Sequence, residues 1–303
     1  MLSKNPSLLD QAANRLYIEA MKEAAPESYL PFMATPRTAT GRVMTSPIAG
    51  SAPKFELQNQ HDPMKFSPML DDVVNHTMKR YGAGVEIHED DWEDDQLGAF
   101  PEKVQEMGRE AVLLPNALLI AAITSGETGQ SWDGVSFFNA THPAKQQRAA
   151  FSNIVTQTGT TAAATRTDVE TVIEAFLAMR SLNGRPAGTR LNRLCFVAPT
   201  TMRAQILEAT NPNSMIANTA SLAGLGFDYI FDPDMDLSHA SRFAVLNSSH
   251  VVKAFVIWQR RAARLVAETA NSGAGFVNGV RRYKGDWRGS IEYGLPERAI
   301  YVK

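Results

Sequence analysis

HEDDWEDDQLGAFPEKVQEMGREAVLLPNALLIAAITSG, residues 88–126, is the stretch whose reading decides the fold. It opens on an acidic run of Glu89, Asp90, Asp91, Glu93, Asp94 and Asp95. Pro101 follows where a helix accepts proline, in its first turn, because no intrahelical N–H is needed there. Apolar residues then recur at Phe100, Val104, Met107, Ala111, Leu114, Leu118 and Ala122. Steps of three and four place them on one stripe. Gly126 stands where a left-handed C-cap glycine belongs. Pro115 predicts a kink rather than an end, since the periodicity continues past it. The reading is one long bent helix over 100–125, roughly 35–40 Å at 1.5 Å per residue. A helix of that length is a strut across a domain.

Outward from the strut, the texture changes. Residues 7–24 carry a helical stripe at Leu8, Leu9, Ala12, Leu16, Ile18 and Ala20, stopped by Pro26. Prolines 36, 47, 53, 63 and 68 are scattered through residues 34–84, which excludes long helices and central strands there. That segment reads as an extended hairpin with too few residues for its own core, marginal alone and stabilised by packing on something else. Residues 85–88 (VEIH) are the strand that returns to the body. Beyond the strut, residues 129–143 (GQSWDGVSFFNATHP) form a turn-rich loop anchored by Trp132, Phe137 and Phe138. Residues 144–165 predict a loop with one short strand. Thr167 or Asp168 is the expected cap of a second helix that stops at Asn183-Gly184. Strands are expected at LCFVAPT (ending at Pro199), 227–232, 243–246, 254–258, SIEYG and AIYV, with a helix at 201–209. The fold class is α+β, with no internal repeat.

At 303 residues, 44% apolar and 20% charged, the chain can bury a sizeable core without staples. Cys195 is the single cysteine, which excludes a disulfide framework and a cysteine zinc site; inside an apolar strand it reads as inert core. The first residues lack an apolar signal core, and the longest uncharged apolar run, 117–123, is too short to span a bilayer. The expectation is a cytosolic product, with no membrane partner. Net charge is only −2 but uneven: residues 81–110 hold ten acids and two bases, residues 241–303 eleven bases and four acids. Opposite signs at two regions suggest complementary surfaces, within a molecule or between copies, or else two solvated faces.

Catalytic constellations are missing. The sequence contains no GxxxxGK[ST], no GxGxxG after a strand, no HExxH and no GxSxG. His61, His76, His88, His142, His239 and His250 are scattered singly. The acidic run 89–95 could hold magnesium, but carboxylates at a helix start also favour the positive end of its dipole. DPDMD, 232–236, lacks the glycine and glutamate of a calcium loop, with Leu237 and Phe243 in their places, and reads as a turn. Arg260, Arg261, Arg264, Arg281, Arg282, Lys284 and Arg288, with Tyr283 and Trp287 interleaved, make a basic patch, read as an intersubunit or loosely DNA-facing surface. No catalytic, cofactor-binding or metal-ligating residue is assigned, no cofactor is expected, and the protein is read as not an enzyme.

GVEIHEDDWEDDQLGAFPEKVQEMGREAVLLPNALL, followed by DGVSFFNATHP, resembles the major head subunit of Mu-like phages. The signature is a strand into an acidic run, the QEMGR helix and the DGxxFF…HP loop, over roughly residues 80–143. The APESY segment at 25–29 and KAFVIWQRRAARLVAE at 253–268 are similar too. The resemblance implies the Hong Kong 97-type capsid fold. It implies an N-terminal arm at 1–33, an extended loop at 34–84, a peripheral domain at 85–163 and 276–303 with the spine helix at 100–125, and an axial domain at 164–275. It further implies a major capsid protein of a tailed double-stranded DNA phage or prophage, assembling with itself into hexamers and pentamers of an icosahedral shell. Portal and scaffold proteins, a decoration protein and non-specifically contacted packaged DNA are the implied partners. The implied location is the virion, after assembly in the bacterial host cytoplasm. Some members of the fold cross-link through Lys and Asn; here Lys54, Lys65, Lys79 and Asn278 are available, with nothing in the sequence to pair them. The alternatives are an encapsulin-like cargo shell of the same fold and a metal-dependent hydrolase using the 89–95 acids.

Overall fold

The computed structural model describes residues 6–47, 57, 73–88, 99–187, 191–211, 222, 224–237, 239–268 and 279–303. The acidic run 89–95, Lys54, Lys65 and Asn278 lie outside them.

The expected strut is helix α3, Ala99–Thr124, unbroken through Pro115; α1 is Pro6–Ala24 and the one-turn α2 is Leu30–Met33. By length and composition alone α3 is long and apolar enough to cross a bilayer, a test that a core helix also passes. In this fold it lies between α1 and a sheet. Its N-terminal half packs Phe100, Val104 and Met107 against Ala13, Tyr17 and Tyr283. Its C-terminal half buries Leu119, Ile120 and Ile123 in the main core, while Leu114, Leu118 and Ala122 are only partly covered. The predicted stripe is right up to Met107 and then one residue off. Successive steps of four drift around a 3.6-residue helix, and after Pro115 the core lies on the neighbouring rows.

Two sheets hold the body. The first has the order β1 (Ala34–Thr38), β9 (Phe255–Ala267), β10 (Val280–Tyr293) and β4 (Lys79–His88). The second has the order β5 (Ile154–Val155), β11 (Ala299–Val302), β8 (Phe243–Asn247), β6 (Leu194–Ala198) and β7 (Phe227–Phe231). Every residue of β6, β8 and β11 is buried. Alternation sends Leu194, Phe196, Phe243, Val245, Ile300 and Val302 towards α4 (Ala162–Ala178) and α5 (Arg203–Thr210). Cys195, Val197, Ala244, Leu246 and Tyr301 face the other way, onto the C-terminal half of α3 and the Phe137–Phe138 pair. Burial pushes the Cys195 thiol well up, so it is a packed apolar group.

Several boundaries move. Residues 34–38 and 79–84, expected in the hairpin, are body strands, because Tyr81, Val85 and Ile87 of β4 already alternate under α3. The hairpin itself is β2 (Val43–Pro47) paired antiparallel with β3 (Val73–Thr77). Strand β9, expected with 164–275, joins the first sheet, and β11, expected with 276–303, joins the second. The chain therefore crosses between sheets twice near its C-terminal end. The cap of α4 is Thr161, which accepts from the Ala164 amide, not Thr167 or Asp168. Asp168 is buried inside the helix and accepts from the Thr158 amide and hydroxyl at 3.0 and 2.8 Å. The helix ends at Ala178, five residues before Asn183, and Gly184 (φ +71°) belongs to the turn that follows. Gly126 has no positive φ among the described glycines that do; a Cβ there would collide with the Phe138 ring.

Candidate functional site

The motifs singled out in the sequence meet one another around α3. In QEMGR, Gly108 is where α1 crosses: a Cβ at this position would lie 2.6 Å from the Tyr17 carbonyl oxygen. Arg109 next to it donates twice to Glu27, at 3.1 and 3.0 Å. Glu27 belongs to APESY, and Asn116 clamps the same segment. Its Oδ1 accepts from the Tyr29 amide and its Nδ2 donates to the Glu27 carbonyl, both at 2.8 Å. Burial, then the nearby Asp232 carboxylate, pushes the Tyr29 phenol up to about 12.

The DGVSFFNATHP loop is a second clamp. Gly134 sits at φ +88°, a conformation that favours glycine. Phe137 and Phe138 plug the core, stacking on Tyr293 and Tyr301 at 4.7 and 4.8 Å between centroids. His142 is wholly buried; its Nδ1 lies 2.6 Å from Asp133 Oδ2 and its Nε2 3.1 Å from Asn153 Oδ1. Asn153 Nδ2 donates to the Phe137 and Pro296 carbonyls, while its Oδ1 also accepts from the Asn139 amide. That orientation makes Nε2 of His142 a donor and leaves Nδ1 facing the Asp133 carboxylate. Burial raises Asp133, but the hydrogen bond and charge of His142 outweigh it and hold the carboxyl below its usual range. Arg148, also buried, lies over Trp132 and Phe151 and reaches Glu297 at 3.3 Å. Four ionisable side chains, a loop and the C-terminal segment are thereby locked in one buried cluster.

The hairpin is attached by a small patch. Ala39, Met78, Val256 and Trp258 are buried together with Met44 against them. His76 of β3 pairs with Glu292 of β10 and stacks on Trp258 at 6.2 Å. Burial raises the Glu292 carboxyl, with His76 pulling it back. Val43, in the innermost pair of the hairpin, is 53% exposed and Leu57 98%.

The basic patch is real but its aromatics are not displayed. Tyr283 and Trp287 are buried, facing α3 and the core. Arg80, Arg261 and Arg264 surround the buried Asp286 at 2.8, 2.6 and 4.0 Å. Arg282 pairs with Glu86 across β10 and β4, so part of the charge complementarity is satisfied inside one molecule. DPDMD forms a short 3₁₀ turn capped by Asp232. Among the described residues no group of three or more His, Cys, Asp and Glu could hold a metal ion.

Residues 67–177 match the family model of the Mu-like prophage major head subunit gpT. Over 65 residues the chain is 40% identical to the major capsid protein of Escherichia phage Mu, covering 22% of this chain and 21% of that protein. The match thus spans about a fifth of the length of the curated relatives. The capsid structure of the cyanophage P-SCSP1u superposes with a TM-score of 0.61 at 10% identity, covering 91% of this chain and 87% of that one. The chain has a Hong Kong 97-like capsid fold. A virus-like particle from Pyrococcus furiosus shares this capsid fold, with a TM-score of 0.55 at 10% identity over 97% of this chain and 98% of that one. The gpT match includes Gly108, Arg109 and Asn116 of the first clamp and Asp133, His142 and Asn153 of the second, while their partners Tyr17, Glu27, Tyr29 and Pro296 lie outside it.

Proposed function

We propose that the protein is a major capsid protein of a double-stranded DNA phage or prophage, which self-assembles into hexamers and pentamers of an icosahedral shell. The observation that carries the reading is the hairpin β2–β3. Its strands pair only with each other among the described residues. A two-stranded ribbon is marginal alone, and it leaves apolar Val43 and Leu57 in water. A neighbouring subunit that covers it would couple folding to assembly, and a closed ring multiplies such contacts. The capsid fold and the gpT match support the same role.

In this reading residues 39–78 are the extended loop and residues 1–33 the N-terminal arm. The first sheet with α1 and α3 is the peripheral domain; the second sheet with α4 and α5 is the axial domain. Scaffold, portal and decoration proteins and packaged DNA are its further partners, and the virion, after assembly in the host cytoplasm, its location. The protein acts by assembly rather than catalysis. A cargo shell without genome is the second reading, favoured by the end-to-end match to the Pyrococcus furiosus particle; nuclease-resistant DNA inside purified particles distinguishes the two.

Electron microscopy of the expressed protein tests the proposal, with shells or rings expected. Replacing residues 45–75 by Asn-Gly closes the hairpin at the Met44–His76 pair and keeps its base. The expected product is a folded, soluble subunit that forms no particles. A wild-type chain that stays monomeric at high concentration overturns the assignment.

A further inference from the structure

One face of the first sheet is covered by α3. The opposite face is covered at one end by the base of the hairpin, through Met78, Trp258 and His76. Its other end is an open groove of about 810 Å³. The floor of the groove is nearly bare. In the β10–β4 register Gly84 stands opposite Lys284 and Gly82 opposite Asp286, so backbone rather than side chain lies between the walls. Arg80, Arg261, Arg264, Arg282, Lys284 and Arg288 stand in or beside this groove against Asp286, Glu86 and Glu268.

The cations exceed what the fold uses. One carboxylate, Asp286, is shared by three guanidinium groups. Arg288 is crowded by Arg260, Arg261, Arg42 and Arg80, and its buried Nε has no hydrogen-bond partner among the described residues. Like charges packed on one sheet face oppose folding. A set of cations in that arrangement fits a dense anionic partner. Nucleic acid is the weaker candidate, since Tyr283 and Trp287, the aromatics interleaved with these cations, are turned into the core and away from base stacking.

We infer that this groove binds the acidic stretch 89–95 of a second copy of the chain. Six of its seven residues are carboxylates, a density that matches the surplus cations. The stretch follows β4, which ends at His88, and precedes Phe100, which packs on Tyr283 on the face opposite the groove. The groove of one copy and the carboxylates of the next then make a head-to-tail contact that closes by rotation. The inference rests on the shell-building role proposed above.

The test uses the full chain and charge reversal on both sides. Arg282→Glu with Lys284→Glu reverses the groove; Asp90→Lys with Asp91→Lys reverses the stretch. Thermal unfolding of each dispersed subunit checks folding, and Arg282→Gln with Lys284→Gln is the milder control, expected to weaken assembly less. Particle yield, read by sedimentation, is expected to fall at least ten-fold in each reversed variant, and their mixture to recover even-membered hetero-oligomeric rings, in which the two variants can alternate. Recovery only when both reversals are in one chain, with none on mixing, shows an intramolecular contact and overturns the inference. So does an unchanged yield, or a normal yield of particles that have lost DNA. Wild-type chain that never assembles refutes the shell-building role itself, a different outcome from any of these.

Discussion

Glu297→Gln should cost the subunit about 3 kcal/mol. The pair it breaks is Arg148–Glu297, whose partners are 2% and 4% exposed and 3.3 Å apart. Removing one member of a buried pair typically costs about 3–5 kcal/mol, because the other is left as an uncompensated charge. Two features place this case at the low end. Burial pushes Glu297 above the ordinary carboxylate range, so its ionised form is itself penalised. The guanidinium also keeps its contacts with the Trp132 and Phe151 rings, at 5.4 and 4.6 Å. At about 2–4 °C per kcal/mol for a domain of 150–250 residues, a loss of about 3 kcal/mol lowers Tm by roughly 6–12 °C. Arg148→Met should cost less than Glu297→Gln, since the remaining carboxyl can take up a proton. Arg148→Met with Glu297→Leu should cost less than the two singles together, as apolar replacements of buried pairs are often neutral. The pH dependence has a definite sign. With the folded pKa above the unfolded one, this group favours the folded state most at low pH, and its contribution declines as pH rises through that interval. Urea and thermal unfolding of dispersed subunits provide the measurement. A Glu297→Gln variant within about 0.5 kcal/mol of wild type, or a double variant as unstable as the sum of the singles, would refute the reasoning.

Asp133 has the opposite sign: its depressed folded pKa stabilises the fold above the unfolded value and is lost as pH falls below about 4. Asp133→Asn should therefore flatten the acid limb of a stability-against-pH curve; an unchanged limb excludes the His142 pair as its source. Gly108→Ala should cost about 1–3 kcal/mol by forcing α1 off α3 at the Tyr17 carbonyl, measured by chemical unfolding; wild-type stability would mean that the crossing is not tight. Particle yield should depend on ionic strength, because exposed charge pairs are screened within about 10 Å at 0.1 M salt; equal yields at low and high salt would remove charge from the assembly argument.

Much of the fold was legible because its elements repeat at their own period. The strut announced itself through Phe100, Val104 and Met107, and the buried strands LCFVA and FAVLN through unbroken apolar runs. What was missed has physical causes. Strands β4 and β9 are more than twice as long as expected because their exposed halves read as charge, and only the alternate residues Tyr81, Val85, Leu265 and Ala267 betray a sheet. The cap of α4 went to Thr161 because Asp168 is engaged by Thr158 from a preceding loop, a contact with no local signal. His142 looked solitary since Asp133 lies nine residues away and Asn153 eleven. The DG…HP spacing was the available clue: a turn glycine returning the chain onto itself brings an acid and a histidine together.

The residues that tie this chain to the Mu head protein are mostly hidden from any neighbour. Gly108, Asn116, Phe137, Phe138 and His142 are internal, fixing α1, α3 and the C-terminal strands in one frame. Arg109 alone among the named QEMGR contacts reaches solvent, and its partner Glu27 is in the same chain. These contacts hold the subunit's own frame, whereas the hairpin and the basic groove are the surfaces proposed above for contact between copies. That predicts a separation of effects. Substitutions in the buried clamps should lower subunit stability and particle yield together, whereas substitutions in the hairpin tip or the basic groove should lower yield with the subunit's unfolding unchanged.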